Sequence, residues 1–169
     1  MPSKSSAWFL AKFLAGAAAL FWLWNHGLAE AYGSFVLAAV RVLSPLLTGY
    51  EVDTGGGSVA FVGGEKRLAL PLNLRETCVG IVPYTALVLA AARRTANARA
   101  AAIAIGFAAM YPVQVAVVTM TPLMMTPHEQ WVSSALDVVY TFAALGGLVA
   151  FPLFLWWMWW KLSDVGEQA

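Results

Sequence analysis

The chain has 169 residues, 60% hydrophobic and 11% charged, with a mean hydropathy of +0.70. That composition is far from a soluble domain's and points to a bilayer. A formal net charge of +1 with no long basic run excludes nucleic acid as the partner, because phosphate binding needs clustered cations, and a lone cysteine excludes an internal disulfide or a thiolate-rich metal centre.

The first element is an apolar run from Ala7 to Trp24 behind Lys4 and Lys12. It continues into Trp22 and Trp24 without a small-residue cleavage site, so it reads as a retained signal anchor. Further runs of membrane length, roughly 20 residues, lie at Ala100 to Met120 and Val132 to Trp160, with a shorter one at Thr77 to Ala92. The segment Ala31 to Leu47 is different. Phe35, Val36, Ala39, Val40, Leu43, Leu46 and Leu47 recur at helical spacing, with Arg41 near the middle.

Charge decides the topology. If Ala31 to Leu47 lies on the outer surface as an amphipathic helix, then Lys4, Lys12, Arg93, Arg94, Arg99 and Lys161 all fall on the inner side, as the positive-inside rule requires. The expectation is a single all-α integral membrane domain over residues 1–169. It has four transmembrane helices, both termini cytoplasmic, in a bacterial-type inner membrane. Its partners are the lipid bilayer and other integral membrane proteins.

Residues 49–74 change period. Tyr50 to Asp53 alternates, Gly55 to Gly57 breaks the run, Val59 to Val62 is strand-like, and Leu68, Leu70 and Leu72 share one face. These features predict a small outer β-hairpin or three-stranded cap resting on the surface helix or the helix mouths, because a hairpin alone is marginal in water. Tyr111-Pro112 should kink the third spanning helix, where Gln114 is an amide suited to an interhelical hydrogen bond or to function. Thr121 to Gln130 reads as an outer loop, and Asp137 sits near the outer end of the last helix. Trp156, Trp157, Trp159 and Trp160 before Lys161 fit an interfacial belt. There is no internal repeat.

Chemistry concentrates around Cys78, in Arg75-Glu76-Thr77-Cys78-Val79-Gly80. At the start of a helix a thiol is either a packed small hydrophobe or a nucleophile activated by backbone N–H groups and nearby cations. Cysteine catalysis also needs a base and an oxyanion donor, for which His128 and Gln114 are the candidates. The histidines His26 and His128 could instead ligate a haem or pigment; no haem-attachment signature is present, and neither metal nor cofactor is expected.

The order of an anchor helix, a surface helix, a short β-rich outer segment, Cys78-Val79-Gly80 opening a spanning helix, an Arg-rich inner loop and two further helices resembles the small exosortase/archaeosortase family. The resemblance implies a membrane cysteine transpeptidase or protease cutting C-terminal sorting helices outside the membrane, with Cys78 as nucleophile. It also implies an arginine where this chain has Gln114, and a histidine at the start of the last helix, where it has Ala135-Leu136-Asp137. An amide in place of a guanidinium removes a fixed positive charge. The resulting expectation is a degenerate, non-catalytic subunit of a larger membrane complex, with the active enzyme and the cofactor-bearing subunit as the alternatives.

Overall fold

The computed structural model describes residues 4–54, 59–64, 66–70, 77–91, 95–126, 133–135, 137–138, 141 and 150–165. The first helix, α1, is Lys4–Leu23, an alanine- and leucine-rich stretch of high helix propensity. It does not end before the next helix. A π-helical turn, Trp24–Leu28, carries it into α2, Ala29–Thr48. The bend is local. His26 (φ −106°, ψ 29°) and Gly27 (φ 126°, ψ −23°) leave the helical region, and the Gly27 torsion is one that a side chain would strain. Two side chains cover carbonyls there: Asn25 Nδ2 donates to the Phe21 carbonyl at 2.9 Å, and His26 Nδ1 lies 2.7 Å from the Trp22 carbonyl.

The segment expected as a separate surface helix, Ala31 to Leu47, therefore lies within α2 and is joined end to end with α1. Its amphipathic spacing is real. Ala29, Tyr32, Val36, Val40 and Ser44 form the buried stripe, while Phe35, Val42 and Leu46 form an exposed apolar one and Glu30, Ser34 and Arg41 are exposed polar positions. Gly49, in the left-handed conformation (φ 74°), ends the helix and donates its N–H to the Pro45 carbonyl at 3.2 Å.

The chain then forms an antiparallel sheet in the order β1 (Glu51–Asp53), β2 (Val59–Gly63), β3 (Lys66–Leu70). The expected cap thus has three strands rather than a single hairpin. Its register places Val52 against Phe61 and Phe61 against Leu68. Central strand β2 buries Val59, Ala60 and Phe61 in succession, so both of its faces are covered there. Ser44 Oγ donates to the Tyr50 carbonyl at 2.8 Å and Arg41 Nη2 donates to Thr54 Oγ1 at 2.7 Å, which ties the sheet to α2. The exposed Arg67–Asp53 bridge, at 2.9 Å, adds at most about 1 kcal/mol.

Two antiparallel helices complete the interior, α3 (Ile81–Ala90) and α4 (Ala96–Met125). Thr95 caps α4 by accepting from the Ala98 N–H. Tyr84 OH donates to the Ala102 carbonyl at 2.7 Å, and Arg99 Nη2 donates to the Ala91 carbonyl at 2.8 Å, so the hairpin is pinned at two levels. Its close approach depends on Gly106, since a Cβ there would enter the Tyr84 ring.

The helix α4 runs through both Pro112 and Pro122. Residues Thr121 to Met125, expected in an outer loop, are its last turn. There the Thr121 hydroxyl donates to the Val117 carbonyl, and the Thr126 hydroxyl donates to the Pro122 and Leu123 carbonyls. The final helix, α5 (Phe151–Val165), packs against α3 and α4, with the Trp156 ring centroid 6.4 Å from that of Phe9 in α1. Of the expected helix Val132 to Trp160, residues 133–135, 137–138 and 141 are also helical, and the others before Ala150 lie outside the described residues.

Among the described residues, two helical segments are long and apolar enough to cross a membrane, Ala7–Thr48 and Ala96–Met125. The ten residues of α3 fall short of the expected Thr77 to Ala92 span because residues 78–80 form a turn.

Candidate functional site

The turn that shortens α3 also holds the lone thiol. Residues 78–80 turn ahead of the helix, with the Val82 N–H donating to the Val79 carbonyl at 2.9 Å. Cys78 is 0% exposed and belongs to the central apolar core with Trp24, Tyr32, Phe61 and Ile81. A thiol closed off from water in this way is first a packed side chain. Of the two readings of this thiol, activation at a helix start calls for an open position, and Cys78 is buried.

Gln114, from the middle of α4, is buried, at 6% exposed. Its Oε1 accepts a hydrogen bond from Tyr32 OH at 2.6 Å, across 82 residues of sequence. Tyr32 comes from the first turns of α2 and is fixed by its rings of contact: Phe107 edge-on at 5.6 Å and Trp24 at 6.1 Å. Both Cys78 and Tyr111 lie within electrostatic reach of the Tyr32 hydroxyl. Tyr111 in turn donates to the Phe35 carbonyl at 3.2 Å, with its ring 4.6 Å from that of Phe35. Thiol, phenol and amide thus converge from the turn before α3, from α2 and from α4.

Two of the three residues considered for catalysis, Cys78 and Gln114, are therefore both buried and both related to Tyr32, Cys78 through the shared core and Gln114 through a hydrogen bond. The third, His128, lies outside the described residues, as do Arg75 and Glu76. His26 is exposed at the bend, stacked on Trp22 with ring centroids 4.2 Å apart. It is remote in role from the cluster, and its Nδ1 is already engaged by a carbonyl. Asp137 is exposed on a helical segment. Among the described residues no group of three or more His, Cys, Asp or Glu side chains could hold a metal ion.

The residue that sequence reasoning missed is Tyr32. It stands four residues before Val36 and eight before Val40, on the stripe that α2 buries, so its placement was readable from helical spacing. Its pairing was not. The cluster's buried cross-helix bond is neutral, phenol to amide, and supplies no fixed charge for a thiolate or an oxyanion.

No protein family, curated protein or solved structure matches this chain.

Proposed function

We propose that this chain is an exosortase-like integral membrane protein acting as a non-catalytic subunit of a larger inner-membrane complex. The observation that carries the reading is the complete burial of Cys78 beside a neutral Tyr32–Gln114 pair. A cysteine nucleophile needs substrate access and a partner that takes its proton, and a buried thiol next to a self-satisfied phenol–amide bond is better suited to packing. In a strain that depends on this protein, Cys78→Ser and Cys78→Ala are expected to complement like the parent. Loss of complementation by both Cys78→Ser and His128→Ala, at unchanged protein level, reverses the ranking. The second reading, a membrane cysteine transpeptidase or protease, draws on one fact: Cys78 and Gln114, distant in sequence, are both buried, with Tyr32 sharing a core with the first and a hydrogen bond with the second.

The proposed topology has four spans, over residues 7–24, 77–92, 100–120 and 132–160, with both termini cytoplasmic and the sheet outside. Its support is geometric and electrostatic. Trp24 reaches toward Tyr32 and the Cys78 turn, so α1 runs antiparallel to α3 and its start lies near the α3–α4 connection. Phe9 beside Trp156 brings the second half of the last helix to that same end. This topology puts Lys12, Arg99 and Lys161 on that side, as the positive-inside rule requires of a cytoplasmic face. With Cys78 replaced by serine, a cysteine at Glu51 is expected to react with an impermeant maleimide in spheroplasts and one at Asn97 is not. The opposite pattern removes the topology.

A further inference from the structure

We propose that α2 and the three-stranded sheet form one hinged flap, pivoting at His26–Gly27 and held shut by the Tyr32–Gln114 hydrogen bond. Three independent features of the fold meet in it, and none requires Cys78 to be catalytic.

The first is the pivot. On either side of the bend the chain is regular α-helix, and the departure is confined to His26 and Gly27. Gly27 has φ 126°, yet a Cβ there would meet nothing within 4 Å. The glycine is thus demanded by torsion and not by packing, as a hinge residue is. The second is the rigid body. Ser44 and Arg41 of α2 bond Tyr50 and Thr54 at the two ends of β1, so the sheet is tied to α2 by hydrogen bonds at both ends of its first strand. The third is the latch. Tyr32 OH to Gln114 Oε1, at 2.6 Å, is the buried one of two polar clasps between the flap and α4, the exposed bond from Tyr111 OH to the Phe35 carbonyl being the other, and it lies one turn beyond the pivot in the core that also holds Cys78. A clasp close to its hinge controls opening with little strain elsewhere, and opening would lay bare the amide, the phenol and the thiol together.

The native cysteine is the reporter, because it is the chain's only one and is 0% exposed in the closed form. Reaction of the full-length protein in mild detergent with N-ethylmaleimide then measures opening. Tyr32→Phe keeps the ring and removes the clasp, and is expected to speed labelling about tenfold, the equivalent of one lost buried hydrogen bond. Gln114→Leu should give the same gain, and the double variant no more. Gly27→Ala, strained at its φ, should also raise the rate, whereas Gly16→Ala, in open helical surroundings, should not.

Hydrogen exchange on Tyr32→Phe distinguishes flap motion from general loosening: amides of α2 and β2 should lose protection together while those of α3 and α4 keep it. A Tyr32→Phe labelling rate within about twofold of the parent overturns the proposal, since removal of a controlling clasp must register. Loss of protection in α3 and α4 along with α2 overturns it as well.

Discussion

Gly106→Ala is expected to destabilise the protein by about 2–4 kcal/mol, read as a drop in the unfolding midpoint in detergent. An alanine Cβ at this position would enter the Tyr84 ring, and its nearest atoms are ring atoms of a side chain that is itself 1% exposed and cannot swing into solvent. Overpacking of this kind costs about 1–3 kcal/mol. Displacing the ring also breaks the Tyr84 to Ala102 bond, worth about 0.5–1.5 kcal/mol more. Tyr84→Ala alone should cost about 3–5 kcal/mol as a large buried truncation. The double variant tests the cause: with the ring gone there is nothing to collide with, so the pair should cost clearly less than the sum of the singles. Additive costs would show that the Gly106 effect has another origin.

Phe61→Ala is expected to be as severe but to act elsewhere. Phe61 is 0% exposed and belongs to the central strand, facing the core that α2 supplies with Val36 and Val40. Truncating it removes about 3–5 kcal/mol. A three-stranded meander with such short strands has little stability of its own, so the loss should release the sheet while the α3–α4 hairpin, held by Tyr84 and Arg99, persists. Limited proteolysis should therefore cut between residues 50 and 70 in the variant and not in the parent. Unchanged resistance across that stretch would mean that other contacts anchor the sheet.

The β segment was the most legible part of the sequence. Alternation broken by glycine runs placed strands near Tyr50 to Asp53, Val59 to Val62 and Arg67 to Leu72, and the observed strands differ by a residue or two at their ends. Local pattern suffices there, because period and turn chemistry act on neighbours. The errors came where a local rule met a tertiary answer. Pro122 reads as a helix breaker, yet α4 continues through it to Met125, with the Thr126 hydroxyl covering carbonyls at the helix end. Asn25-His26-Gly27 holds a glycine that marks a bend, but the alternative, a clean break between two helices, has the same local signature. For the site, Gln114 was recognisable as an amide in an apolar helix, whereas its partner 82 residues away was not. Burial of Cys78 was equally hidden, since what seals it comes from α1, α2 and the sheet, far away in sequence.

The first helix has a consequence for the order in which the protein is made. In the most apolar eighteen-residue window of the Ala7–Thr48 segment only 6% of residues are buried by the rest of the chain, and Trp8, Leu14, Phe21 and Trp22 all face outward. A helix so little covered by its own protein is suited to lipid, and in the proposed topology it can be inserted as soon as it leaves the ribosome, before α3 and α4 exist. Its regular backbone needs no later partner to satisfy it. What does wait is the bend at Gly27, because Trp24 and Tyr32 become buried only when the α3–α4 hairpin arrives. On the proposed topology, biogenesis thus divides at the bend: the chain before it commits to the membrane during synthesis, and the chain after it takes its final course only once translation has passed Gln114.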